Sequence, residues 1–216
     1  MSELYITDNR QDDFSLDANR LKISLSNSAI VTNSSLLEFS RIDRFCRFQN
    51  AFLGRHSYVG QSCVVMSTKI EHFVSIAWNV TIGARDHPID LASQHSFTYN
   101  HYDSIVSDCY PGHEHPNTSI GSDVWVAAGA CIMAGLTLAP GSVVGANSVL
   151  TTDTEPYGIY CGAPARLKKF RFEDDIMFQL LKLAWWEYSD RILANNQSFF
   201  LSPPTSKSIS EFTTAS

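Results

Sequence analysis

No apolar run in the 216 residues approaches the roughly 20 that a membrane-spanning helix needs. Basic blocks are scarce too: the formal net charge is −6, whereas a nucleic-acid backbone calls for clustered Lys and Arg. The one local exception is Arg166, Lys168, Lys169 and Arg171, crowded into a short stretch. Paired cysteines are absent. Cys46, Cys63, Cys109, Cys131 and Cys161 are odd in number and contain no C-x-x-C spacing, which suits free thiols in a reducing compartment. The stretch Met1 to Arg10 is polar and acidic, without the basic end and apolar core of a signal peptide. These shortages predict no nucleic-acid partner, no membrane span and a cytoplasmic location.

What is present is ordinary in amount and unusual in order. A hydrophobic fraction of 44% against 18% charged residues fits a globular chain with one main body and extensions. Aliphatic residues recur at every sixth position: Ile120, Val126, Ile132, Leu138, Val144 and Leu150 hold this register without a slip. The residue after each is usually small (Gly121, Ala127, Ala139, Gly145), and the fourth after each is mostly small or β-branched (Val124, Ala130, Ser142, Ser148, Thr154). An earlier tract, Leu53, Val59 and Val65, then Ile70, Ile76 and Ile82 after a one-residue slip, repeats the pattern, with weaker beats at Ile30, Leu36 and Ile42.

A period of six is neither the 3.6 of a helix nor the two of a long strand, so it demands short strands broken by tight turns. Three hexads close one triangular coil whose aliphatic residues stack inside, coil on coil, each coil needing a neighbour to bury its apolar face. The predicted fold is mainly β: a parallel β-helix over residues 30–165, interrupted by a long inserted loop at 84–119. An N-terminal extension would occupy 1–29. A helical segment follows at 166–200, where Glu173, Asp174 and Asp175 suit a helix start and Ile176, Leu180 and Leu183 form a stripe. Ser189 is placed to cap a second short helix. Pro203, Pro204 and many Ser and Thr predict a flexible tail at 201–216.

The runs Ile120-Gly121-Ser122-Asp123-Val124-Trp125-Val126, Val144-Gly145-Ala146-Asn147-Ser148-Val149 and Tyr160-Cys161-Gly162-Ala163-Pro164-Ala165 resemble the signature of hexapeptide-repeat acetyltransferases. Within them the chain is similar to the xenobiotic branch, which includes type B chloramphenicol and streptogramin acetyltransferases and sugar and polysaccharide O-acetyltransferases. That branch carries a mid-repeat loop opening with a histidine and a helix ending in Trp-Trp, matched here by Asp86-His87-Pro88 and Trp185-Trp186. The resemblance, over about residues 50 to 195, implies a left-handed coil, acetyl-CoA as cosubstrate, and a homotrimer with sites between subunits. It also implies that Arg166 and Lys169 contact the cofactor phosphates and that Trp125 lies beside the cofactor or the reacting centre.

Acetyl transfer needs a base for the acceptor's proton, and an imidazole of ordinary pKa ~6.5 suits that role near neutrality. His87 is the candidate, because it stands where the repeat breaks after Ile82-Gly83, fixed by a coil end and covered by the loop. Ala128 and Ala146 are small enough to let a pantetheine arm approach the backbone, or they are simply corner packing, and Thr151 could add a hydroxyl contact. A backbone N–H would hold the oxyanion. No covalent acetyl-enzyme is expected.

The loop is rich in aromatics (Phe97, Tyr99, Tyr102, Tyr110) that could stack on an acceptor or anchor the loop itself. It also holds acids (Asp90, Asp103, Asp108, Glu114) able to bond sugar hydroxyls. Ala92-Ser93-Gln94-His95-Ser96-Phe97 stands where drug-acetylating relatives carry Ser-Thr-Tyr-Pro-Phe, which favours a carbohydrate hydroxyl over an antibiotic as acceptor. The histidines His87, His95, His101, His113 and His115 raise a rival, a zinc-dependent carbonic-anhydrase-like coil. It would need coil-borne histidines at matched heights. A non-catalytic scaffold is the third class, and it predicts no affinity for coenzyme A.

Overall fold

The computed structural model describes residues 3–11, 15–100, 105–106, 108–110 and 115–214. His101, Tyr102, Asp103, His113 and Glu114 of the inserted loop lie outside them. The chain winds as a left-handed parallel β-solenoid of about eight turns, with strands on three faces. Face I carries the start of Ile30–Leu37, then Arg47–Gln49, Val64–Met66, Thr81–Ala84, Cys131–Met133 and Val149–Leu150. Face II carries the end of Ile30–Leu37, then Phe52–Leu53, Thr68–Ile70, Thr118–Ile120 and Thr137–Leu138. Face III carries Ser24–Leu25, Arg41–Ile42, Tyr58–Val59, Ser75–Ile76, Trp125–Val126, Val143–Val144 and Gly158–Gly162.

The hexad residues point inward. Leu36, Leu53, Val59, Val65, Ile70, Ile76, Ile82, Ile120, Val126, Ile132, Val144 and Leu150 are all 0% exposed, and Ile42 and Leu138 1%. Each coil therefore removes three aliphatic side chains from water, a gain of roughly 25 cal/mol per Å² of apolar surface. Val31, not Ile30, is the buried residue of the first full coil. The slip after Val65 recurs in every early coil. Val31 pairs with Phe48 and Phe48 with Val65, and Leu36 pairs with Leu53 and Leu53 with Ile70, so the step from face I to face II is five residues long.

The residues two before each inward position, such as Ser40, Ser57, Thr68, Ser142 and Ser148, are buried too. Their hydroxyls satisfy corner backbone: Ser57 Oγ donates to Glu71 O (2.6 Å) and accepts from Val74 N (2.9 Å). Just before them the chain turns with positive φ, at Asn50, Asn79, Asp123 and Asn147, and also at Phe39, Phe45 and Phe73. Asn and Asp tolerate this left-handed region, whereas a phenylalanine there stores strain.

Several expected boundaries shift. The described part of the expected extension 1–29 joins the coil, because Glu3–Asp8 pairs antiparallel with Ile30–Leu37 and Ser24–Leu25 already belongs to face III. The insertion occupies 85–117, since strands reach Ala84 and resume at Thr118. The segment expected to be helical from 166 begins as a strand, Ala165–Phe170, antiparallel to Gly158–Gly162. Helices follow at Asp174–Leu183 and Asp190–Asn195. The expected flexible tail is packed instead: Ser206–Ser210 is a helix closed by a Thr205–Ser208 capping box, and Ile209 and Phe212 are buried. Among the described residues no helix is long and apolar enough to cross a membrane.

Candidate functional site

The three edges of the prism carry different residues. Edge II/III is taken by the C-terminal segment. An aromatic file climbs it at one ring per coil: Phe39 stacks on His56 (4.7 Å), His56 on Phe73 (4.8 Å), and Phe73 meets Trp185 (4.9 Å). Arg55, 5% exposed, lies over the Phe73 ring and donates to the Trp186 carbonyl (2.7 Å), the Tyr188 carbonyl and Asp190 (2.8 Å). The Trp-Trp pair thus docks the helical segment to the coils. Beside it, burial raises the Asp123 carboxyl's pKa while Arg171, 2.8 Å away, opposes that shift.

Edge I/II carries His87. The loop leaves face I after Ala84, and Gly83, at φ 77, lies so close to the Met66 carbonyl that a side chain there would collide with it. The imidazole is exposed. Its Nδ1 lies 2.6 Å from the Gln94 carbonyl oxygen and 3.1 Å from the Tyr99 hydroxyl, with the two rings edge-on at 5.6 Å. A carbonyl only accepts, so Nδ1 bears the hydrogen and Nε2 keeps its lone pair. That arrangement suits a general base. Thr151 follows the face I strand two coils above and lies on the same edge, exposed.

Edge III/I carries Ala128 and Ala146 in equivalent turns one coil apart, as the bond from Asn147 N to Ala128 O (2.9 Å) shows. Arg166 pairs with Cys161, whose sulfur fills the space where Gly145 has no side chain, so the Arg166 backbone stands above the same edge, and its guanidinium donates to the Ala165 carbonyl at 2.9 Å. Lys169, Ile159, Val143 and Trp125 share one register across face III, with Trp125 51% exposed.

Thus Ala128, Ala146 and Arg166 form one file along the axis, with Trp125 and Lys169 beside it. His87 and Thr151 stand on another edge. Within one chain these groups are separated by the width of face I, six residues from Ala128 to Ala134 or about 20 Å at ~3.3 Å per residue. Nothing in the sequence marks Gln94 as the partner of His87, and Tyr99 stands out only as one of several loop aromatics; the folded loop brings both to the imidazole. Of the other loop histidines, the two among the described residues are engaged locally: His95 caps the turn Ser96–Thr98, and His115 lies 3.5 Å from Asp86. Trp78, 59% exposed, was not singled out by the repeat and sits directly below Ala128, whose neighbour Gly129 donates to the Trp78 carbonyl (2.9 Å). Among the described residues, no group of three or more His, Cys, Asp or Glu side chains is arranged to hold a metal ion.

No protein-family model matches the chain. It is 36% identical over 111 residues to a chloramphenicol acetyltransferase from Klebsiella aerogenes, covering 51% of this chain and 53% of that one. It is 41% identical over 80 residues to a probable macrolide acetyltransferase from Lysinibacillus sphaericus, covering 37% and 44%. To galactoside O-acetyltransferase from Escherichia coli K12 it is 30% identical over 121 residues, covering 55% and 53%. The chain spans about half the length of the curated relatives it matches. Its fold is similar to that of AntD, an N-acyltransferase from Bacillus cereus solved with dTDP and coenzyme A, at a TM-score of 0.60 and 19% identity over 76% of this chain and 88% of that one. In sequence its relatives are hexapeptide-repeat acetyltransferases that match the xenobiotic branch, and in fold its neighbours are left-handed β-helix acyltransferases, as the hexads and the Trp-Trp helix predict.

Proposed function

We propose that the chain is an acetyl-CoA-dependent O-acetyltransferase acting on a hydroxyl of a carbohydrate or related small acceptor, in the cytoplasm, as a homotrimer. The observation that carries this reading is the tethering of His87 Nδ1 by the Gln94 carbonyl, which leaves the Nε2 lone pair for a proton on an exposed side chain. Acetyl-CoA would lie along edge III/I, its phosphates near Arg166 and Lys169, its pantetheine arm over Ala146 and Ala128, with Trp125 alongside. Thr151 would add a hydroxyl contact from the His87 edge. The separation of the two edges across face I supports a site completed by a second copy, whose edge III/I meets the first copy's His87.

Both substrates bind together. Nε2 takes the acceptor proton as its oxygen attacks the thioester carbonyl, a backbone N–H steadies the oxyanion, and coenzyme A leaves as thiolate and is protonated. The relatives named chloramphenicol acetyltransferase favour a second acceptor class, an antibiotic hydroxyl. The test follows released thiol from acetyl-CoA with galactosides, nucleotide sugars and chloramphenicol. His87→Ala should lose about 10²–10⁴ in turnover and keep coenzyme A binding. Full activity in that variant removes His87 from the reaction, and a wild type without affinity for coenzyme A leaves a non-catalytic scaffold.

A further inference from the structure

Trp78 stands in the turn between Ser75–Ile76 and Thr81–Ala84, the coil from which the His87 loop springs. It and His87 therefore share one height on the axis, at opposite ends of the same face I strand. Its indole is 59% exposed. The ring is nevertheless seated, because its Cδ1 lies where a side chain at Gly60, one coil below, would fall. One coil further down the same file, the backbone ladder runs from Asn79 N to Gln61 O and from Ser62 N to Arg44 O, both 3.0 Å. The Gln61 amide oxygen accepts from Arg44 Nε at 3.3 Å, and both side chains reach solvent. Edge III/I therefore reads upward as Arg44, Gln61, Trp78, Ala128, Ala146 and Gly162, with Arg166 on the strand above.

From the level of Arg166, on the strand Ala165–Phe170, down to Trp78 is four strand spacings, about 19 Å at ~4.8 Å each. A pantetheine arm hung from Arg166 along the two alanines thus delivers its thioester at the level of Trp78 and of the partner copy's imidazole edge. What lies below the thioester is a flat aromatic surface followed by an amide and a guanidinium. That pairing of an apolar plate with hydrogen-bonding groups matches a molecule with one apolar face and a polar rim, as a pyranose ring has.

We propose that Trp78, with Gln61 and Arg44 below it, forms the acceptor subsite, the indole stacking on the C–H face of a sugar ring while the two polar side chains bond its hydroxyls. This rests on the cofactor path proposed above. Trp78 determines acceptor specificity and takes no part in proton transfer.

The experiment uses the full chain and methyl β-galactopyranoside as probe, followed by saturation-transfer NMR in the presence of coenzyme A. Sugar ring protons should receive saturation in the wild type, and the dissociation constant should rise about tenfold in Trp78→Ala, the ~1–1.5 kcal/mol of a lost stack. Trp78→Phe should restore it to within threefold, and coenzyme A affinity and oligomeric state should be unchanged in both variants. No saturation in the wild type, or equal binding in Trp78→Ala, overturns the proposal. Loss of the oligomer in Trp78→Ala also overturns it, making the indole an interface anchor. Absence of coenzyme A binding in the wild type would instead sink the cofactor path, which separates the two failures.

Discussion

Replacing Arg55 with Met should release the C-terminal segment from the coils. The side chain is 5% exposed and donates to two carbonyls, those of Trp186 and Tyr188, besides Asp190. Asp190 is itself 48% exposed, so that pair contributes only ~0–1 kcal/mol. The two carbonyl bonds come from a charged donor and are worth about 1.5 kcal/mol each or more. The guanidinium over Phe73 adds ~0.5–1 kcal/mol. Methionine preserves most of the stem's packing, and water can reach part of the freed backbone, so the net loss should be about 2–4 kcal/mol. Urea unfolding gives the total, and amide exchange over residues 174–212 shows where it falls. A change below ~1 kcal/mol with exchange unaltered would refute the clamp, because it would mean that the aromatic file alone holds the segment.

Two further outcomes follow from the same geometry. Burial lowers the pKa of His72, with Arg55 acting in the same direction and Glu71 and Glu187 opposing. A base whose folded pKa lies below its unfolded value binds more protons when unfolded, so its contribution is complete above about pH 6.5 and fades as pH falls below it. Melting temperature should therefore drop between pH 7.5 and 5.5, and His72→Phe should flatten that slope; an identical slope would exclude His72 as its source. Gly83→Ala, which forces a side chain into a left-handed turn against the Met66 carbonyl, should cost at least ~2 kcal/mol and lower turnover by displacing the base of the His87 loop. Unchanged melting would show that this turn relaxes freely.

The coil was legible because its stability comes from one repeated act, an aliphatic side chain turned inward at every sixth position. Its exceptions were less so. The five-residue step from face I to face II puts Val31 inside where Ile30 fits the spacing, and pairing alone reveals it. Left-handed corners can be guessed at Asn50, Asn79 and Asn147, but not at Phe39 and Phe73, where ring packing along an edge overrides local preference, nor at the exposed Phe45. Pro203, Pro204 and the surrounding Ser and Thr read as a loose tail, yet the buried Ile209 and Phe212 pin it together with hydrogen bonds between Asn196 and Thr213. For the site, position at the break in the repeat and the family resemblance single out His87, whereas the carbonyl that fixes its tautomer lies seven residues on in a loop without periodicity. Which edge each candidate occupies emerges only when the coils are stacked.

That arrangement can be tested by mixing two inactive variants. His87→Ala keeps an intact edge III/I, and Ala146→Trp, which blocks the cofactor path, keeps an intact imidazole. If each site takes His87 from one copy and the alanine edge from the next, co-refolding the two should restore about a quarter of wild-type acetyl transfer, the random-mixing fraction for a closed ring. A mixture as inactive as its parents would contradict a site shared between chains.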